Sequence, residues 1–151
     1  MHTNGIFSKE TDEWATPQWL YDELDAEFHF NYDPCATAEN HKCFLWTSKE
    51  DDGLTTDWGG QRVFCNPPYS DLPRWVEKAY RETRKDNTLV CMLMPARTDT
   101  RYFWNYIWNR TEVRFIKGRV HYENTEGKRM KYGSPFATMI VIFRGANIKE
   151  N

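Results

Sequence analysis

Apolar positions along this chain switch repeatedly between a helical and a strand period. Leu20, Leu24 and Phe28 recur every fourth residue behind Thr16-Pro17, a capping residue followed by proline at the first helical position, so the spacing predicts a helix from Pro17 to Glu27. His29 to Asp33 follows as a short strand. Ala36 to Glu50 is ambiguous, with a short helix near Thr37 to His41 and a strand at Phe44 to Trp46. Gln61 to Cys65 reads as a strand. Behind Asp71 as cap, Trp75, Val76, Ala79 and Tyr80 mark the inward face of a helix ending near Lys85. Thr88 to Met94 is an unbroken apolar run, the pattern of a strand covered on both faces of a parallel sheet. Asp99 to Trp108 reads as an aromatic-rich helix, and Glu112 to Ile116 and Phe136 to Phe143 as strands. Between those strands, Arg119 to Ser134 is polar and contains glycine, a long hairpin excursion that closes the sheet with an antiparallel edge. Such alternation predicts a doubly wound α/β sheet whose ligands sit at the C-terminal strand ends. The expected organisation is one domain over residues 12–144, with tails at 1–11 and 145–151.

The strand at Gln61 to Cys65 delivers Asn66-Pro67-Pro68-Tyr69, and this turn suits methylation of an amino group on a planar substrate. An exocyclic amine has its lone pair delocalised into the ring and is a poor nucleophile. Two acceptors, the Asn66 side-chain oxygen and the Pro67 carbonyl, can hold its hydrogens and direct the lone pair at an incoming methyl. Pro67 and Pro68 keep the turn extended. Tyr69 would offer a ring face to a base taken out of its stack. The bland alternative is a strand end broken by two prolines with an ordinary surface tyrosine.

The other strand ends carry further candidates. Asp33-Pro34-Cys35-Ala36 follows the first strand, where a carboxylate can meet the positive end of a zwitterionic ligand and a small residue lets the backbone approach; the alternative is an Asx-type turn. Asp57 either accepts from an adenine amino group or forms the turn before Gly59-Gly60. Trp14, Thr16 and Pro17 are placed to line the far wall, although Thr16 needs no role beyond capping. Arg97, after Met94-Pro95-Ala96, is a cation at the pocket mouth or the partner of a neighbouring carboxylate.

The 151 residues carry a net charge of −2, so any nucleic-acid footprint must be local. Arg97 with Arg101, and the run Gly127-Lys128-Arg129-Met130-Lys131, are its candidates; a solvated loop is the alternative for the run. No stretch is apolar enough to span a membrane and Met1 to Gly5 lacks a secretory pattern, so no membrane partner and a cytoplasmic location are expected. Cys35, Cys43, Cys65 and Cys91 form no C-x-x-C pair and read as reduced thiols. Cys35, His41 and Cys43 match no zinc module, and no metal is expected.

Asp12-Glu13-Trp14-Ala15-Thr16-Pro17, Asp33-Pro34-Cys35-Ala36-Thr37, Asp52-Gly53-Leu54 with Asp57-Trp58, Cys65-Asn66-Pro67-Pro68-Tyr69-Ser70, Pro95-Ala96-Arg97-Thr98-Asp99-Thr100, Gly118-Arg119-Val120 and Pro135-Phe136 occur in that order. As an ordered set they resemble the phage-type DNA N-6-adenine methyltransferase (Dam) family, over about Asp12 to Phe143. The resemblance implies a small Rossmann-like sheet, S-adenosylmethionine as methyl donor, adenine in DNA as acceptor, and a phage or prophage protein in a bacterial host. It implies Asn66, Pro67, Pro68 and Tyr69 as the catalytic motif. Thr16 and Pro17 would lie at the methionine end of the cofactor, Asp33 at its amino-acid group and Asp57 near its adenine. Phe136 or Tyr122 would be a second wall for the flipped base. The Asp33 turn has no G-x-G pattern, and the carboxylate for the cofactor ribose is unassigned, with Glu39 and Glu50 as weak candidates. An RNA or protein-glutamine methyltransferase, or an inactive DNA-binding module, are the competing classes; a homodimer would lengthen a DNA track.

Overall fold

The computed structural model describes residues 14–48, 50–124 and 127–150, so the expected N-terminal tail and Asp12-Glu13 lie outside the described residues. Six strands form one mixed sheet: β1 (Tyr32–Ala36), β2 (Leu45–Ser48), β3 (Arg62–Cys65), β4 (Leu89–Pro95), β5 (Glu112–Phe115) and β6 (Thr138–Arg144), in the order β2-β1-β3-β4-β6-β5. The first four run parallel, while β6 pairs antiparallel with both β4 and β5. The antiparallel pairings thus lie at the C-terminal side of the sheet, as expected, with β6 internal and β5 outermost. The excursion before β6 is long enough to carry the chain past β5 and insert β6 beside β4, leaving β5 outermost.

Alternation along the strands divides the core in two. Val90, Met92 and Met94 of β4 join Val63, Cys65, Met139 and Val141 under α2 (Leu72–Glu82), whose Trp75, Val76 and Ala79 face them. Leu89, Cys91 and Leu93 join Phe64, Ile140 and Ile142 under α1 (Gln18–Phe28), through Leu20, Tyr21, Leu24 and Phe28. With both faces of β4 covered, all seven of its residues are buried, as its unbroken apolar run requires.

Several boundaries moved for local reasons. His29 adopts a left-handed conformation (φ 54°) that ends α1 and delays β1 until Tyr32, so Asp33-Pro34-Cys35 lies inside the strand rather than after it. Register with β2 breaks between Asp33 and Ala36, where Pro34 has no N–H to give. Residues 37–41 form a turn closed by Thr37 and Asn40, not a helix. Asp71 precedes α2 without capping it; its carboxylate pairs with Arg74 at 3.1 Å. The aromatic helix shrinks to a short segment with a π-helical turn at Phe103–Ile107. The C-terminal segment returns to the sheet: Ala146 accepts from the Asn87 N–H at 2.8 Å, and Ile148 packs on the α1-side core.

One buried charge ties α2 to the loop before β3. Glu82 accepts the Trp58 N–H at 2.6 Å and ammonium groups of Lys85 at 2.9 Å and Lys78 at 3.4 Å. Glu82→Ala strands a buried N–H and removes the shared partner of two cations, so urea unfolding should show a loss of about 3 kcal/mol.

Candidate active site

Asn66 leaves the C-terminal end of β3, and its amide nitrogen donates to the Trp14 carbonyl at 2.6 Å and the Thr16 hydroxyl at 3.0 Å. A main-chain carbonyl only accepts, so the atom facing Trp14 is the nitrogen and the side-chain oxygen faces the other way. Thr16 thus serves Asn66 and does not cap α1. The orphan Gln18 N–H at the start of α1 instead reaches a carboxylate oxygen of Glu123, 3.1 Å away and 105 residues on. Glu123 belongs to the excursion and also exchanges two backbone bonds with Ala15, at 3.2 and 2.9 Å.

Beside Asn66 four rings meet edge to face. Trp14 contacts Tyr122 at 5.6 Å and Phe136 at 5.8 Å, Tyr69 contacts Phe136 at 5.4 Å, and the Tyr69 and Tyr122 hydroxyls are 3.0 Å apart. The Tyr69 ring is only 7% exposed and Tyr122 is wholly buried, while Phe136 is half-buried. Burial raises the Tyr69 hydroxyl well above the usual tyrosine range, and that of Tyr122 moves up for the same reason. Both are neutral hydrogen-bonding groups. The Trp14 indole N–H is buried and has no acceptor among the described residues.

On the α1 side of Asn66, a hollow is lined by Trp14, Thr16, Asp33, Asn40, Lys42 and Asn66. Asp33 is 4% exposed and its carboxylate accepts the N–H groups of Cys35 at 3.2 Å and Lys42 at 3.3 Å. Burial pushes it up to about 6, against the pull of those N–H groups and of the His41 and Lys42 charges. Asp33 is thus both the Asx-type acceptor and a wall of the hollow. The Lys42 ammonium, lowered chiefly by burial, donates to the Gln18 side-chain oxygen at 2.9 Å.

A second hollow, lined by Ser48, Asp52, Gly53, Leu54, Asp71 and Trp75, shares Cys35 and Pro68 with the first, so the two meet over the ends of β1 and β3. Gly53 sets this junction: a Cβ there would stand 2.0 Å from the Pro34 carbonyl oxygen. Only glycine lets the loop lie so close, which brings Asp52 and Leu54 against β1.

Most candidates from the sequence gather here: Trp14, Thr16, Asp33, Cys35, Ala36, Asn66 and Pro68 line the hollows, and Tyr69, Tyr122 and Phe136 form the ring cluster. Pro67 is buried behind Asn66, and Pro17 precedes α1. Arg97 is exposed at the end of β4, forms no ion pair among the described residues, and its charge acts on the Tyr69 hydroxyl. Lys128 and Arg129 are exposed on the returning arm of the excursion, where Arg129 bridges Glu123. Asp57 lines neither hollow. It lies before β3, at the sheet's opposite end, with its side chain 78% exposed, paired with Lys85 at 2.8 Å and bonded to Gly59 N–H; that ion pair and N–H hold its carboxyl below the usual range. Asn40, Lys42 and Ser48 were not singled out from the sequence, and Asp52 entered only within the Asp52-Gly53-Leu54 string, without a role. Only Asp52-Gly53, a carboxylate before a glycine, left a local signal.

A family model described as DNA N-6-adenine-methyltransferase (Dam) matches residues 4–150. The sequence is similar to the "DNA N-6-adenine-methyltransferase" of Haemophilus phage HP1 (strain HP1c1), 30% identical over 137 residues, or 89% of this chain and 79% of that protein. It is also similar to the "DNA N-6-adenine-methyltransferase" of Escherichia phage T1, 32% identical over 108 residues, or 70% of this chain and 45% of that protein.

Proposed function

Because this chain belongs to the DNA N-6-adenine-methyltransferase (Dam) family, we propose that it methylates the exocyclic amino group of adenine in DNA, using S-adenosylmethionine on a Rossmann-like sheet. The observation that carries the mechanism is the fixed amide of Asn66, whose nitrogen is committed to Trp14 and Thr16 while its oxygen faces away from them.

The pocket chemistry fits the donor. A buried carboxylate and a partly buried ammonium, Asp33 and Lys42, share one hollow and complement the amino and carboxylate groups of an amino acid. Asp52 and Ser48, in the adjoining hollow past the end of β2, are placed for a ribose, with Leu54 and Trp75 as apolar walls. Asp52 thereby takes the ribose role for which Glu39 and Glu50 were considered. When bound, S-adenosylmethionine supplies an electrophilic methyl group on a sulfonium.

The protein's own task is to present the amine. Asn66 Oδ1 and the Pro67 carbonyl accept its two hydrogens and draw the nitrogen lone pair out of the ring, towards the donor hollow. The flipped base lies against Tyr69 and Phe136, and the Trp14 N–H, which has no acceptor among the described residues, suits the acceptor ring nitrogen that neighbours the amino group of adenine. Phe136, the half-buried ring, marks the side from which the base enters. Arg97, Lys128 and Arg129 contact the DNA backbone around that entrance. No helix among the described residues is long and apolar enough to cross a membrane.

Transfer of labelled methyl from S-adenosylmethionine to DNA free of adenine methylation, with RNA and protein offered in parallel, tests this reading. Label in N-6-methyladenine of DNA is expected. Label appearing only in RNA or protein, or in no acceptor, would sink it.

A further inference from the structure

The amide of asparagine is nearly symmetric in shape and opposite in hydrogen-bonding character at its two ends. An amine gripped by Asn66 needs the oxygen end; after a half-turn of the amide it would meet two N–H donors instead, a repulsive contact. Something must therefore hold the orientation before substrate arrives. The two acceptors on the nitrogen side, the Trp14 carbonyl and the Thr16 hydroxyl, do so. Thr16 is 3% exposed, and the segment carrying it is clamped by Glu123 through the two backbone bonds to Ala15 and the carboxylate at Gln18 N–H.

We propose that Thr16 is a positioning residue for Asn66: its hydroxyl, with the Trp14 carbonyl, locks the amide so that Oδ1 faces the substrate amine, and Glu123 braces both from the excursion. This rests on the assignment of Asn66 as acceptor for the target amine, but gives Thr16 a duty separate from cofactor contact. It also joins the excursion that bears Lys128 and Arg129 to the catalytic turn through a single short chain of hydrogen bonds, Glu123 to Ala15, then Trp14 and Thr16 to Asn66.

The test is Thr16→Val, nearly the same shape without the hydroxyl, beside Thr16→Ser, which keeps it. One of the two acceptors survives in Thr16→Val, so kcat for methyl transfer is expected to fall about tenfold. KM for DNA, and the dissociation constant for S-adenosylmethionine measured by direct binding, should stay within about twofold, and Thr16→Ser should recover kcat to within about threefold of the parent. Weaker binding of S-adenosylmethionine in Thr16→Val with kcat intact would make Thr16 a cofactor ligand and overturn the proposal, as would complete loss of that binding. Equal loss of kcat in the valine and serine variants would also overturn it, because the hydroxyl would then not matter. Failure of the underlying assignment shows separately: Asn66→Ala would keep its turnover, whatever Thr16 does.

Discussion

Asn66→Ala should lower kcat for methyl transfer by about a thousandfold, the scale of deleting a group that acts on the reacting centre itself. The variant loses the proposed acceptor for the target amine while Asp33, Lys42 and Asp52 are untouched, so direct binding of S-adenosylmethionine should remain within about threefold of the parent. The split separates a role in chemistry from one in assembling the pocket. Asn66→Asp is informative beside it, because a carboxylate keeps the acceptor oxygen but has no N–H for the Trp14 carbonyl, which it would face at the 2.6 Å now spanned by a hydrogen bond. A kcat at least about tenfold below the parent is expected. Near-parent turnover in Asn66→Ala would remove Asn66 from the mechanism.

The second large effect is at Asp33, where binding and stability should move in opposite directions. Its carboxyl titrates near 6 because burial disfavours the charge, so its folded value lies above the ordinary carboxylate range. For a raised acid, the neutral form is the one the fold tolerates. Its contribution to stability is complete below the ordinary carboxylate range and is lost as pH rises through about 6. Asp33→Asn has no charge to bury, so near neutral pH and without ligand it should resist urea better than the parent, by up to about 2 kcal/mol. On the proposed reading the cationic amino group of S-adenosylmethionine pairs with the charged form, and binding should therefore weaken about tenfold in the parent between about pH 7 and about pH 5. Asp33→Asn should bind poorly throughout, with a flat profile. A parent-like affinity in that variant, or a profile unchanged by it, would place the ligand's amino group elsewhere.

The candidate site was readable in the sequence because most of its residues sit in short strings at strand ends. Asn66-Pro67-Pro68-Tyr69 follows an apolar strand, and two prolines leave the backbone few other courses, so that turn could be placed from local rules alone. Asp33 was legible as a carboxylate beside small residues, although its position inside β1 was not, since His29 in a left-handed conformation shifts the strand by three residues. Asp57 lies away from both hollows because sequence proximity to Asn66 is no guide across a strand: the chain crosses the sheet between them, so the two lie at opposite ends. Lys42 and Asn40 gave no signal, being ordinary polar residues in a turn until that turn folds back over Asp33. Tyr122 and Phe136 were pointed to only by the family resemblance, and nothing local says that both pack on Tyr69 and Trp14.

What the sequence determined by itself was most of the elements and the course of the Asn66-Pro67-Pro68-Tyr69 turn. Period and proline restrict the backbone within a few residues, and these constraints act whether or not the rest of the chain is folded. The tertiary structure alone decided the partners: β6 inserted between β4 and β5, Glu123 set at the start of α1, Thr16 turned from capping to holding Asn66, and Asp52 brought to β1 by Gly53. Each of these joins residues far apart in sequence or settles a choice between alternative acceptors for one donor. Such choices are made by which buried polar groups would otherwise go unpaired, and that depends on the whole packed molecule.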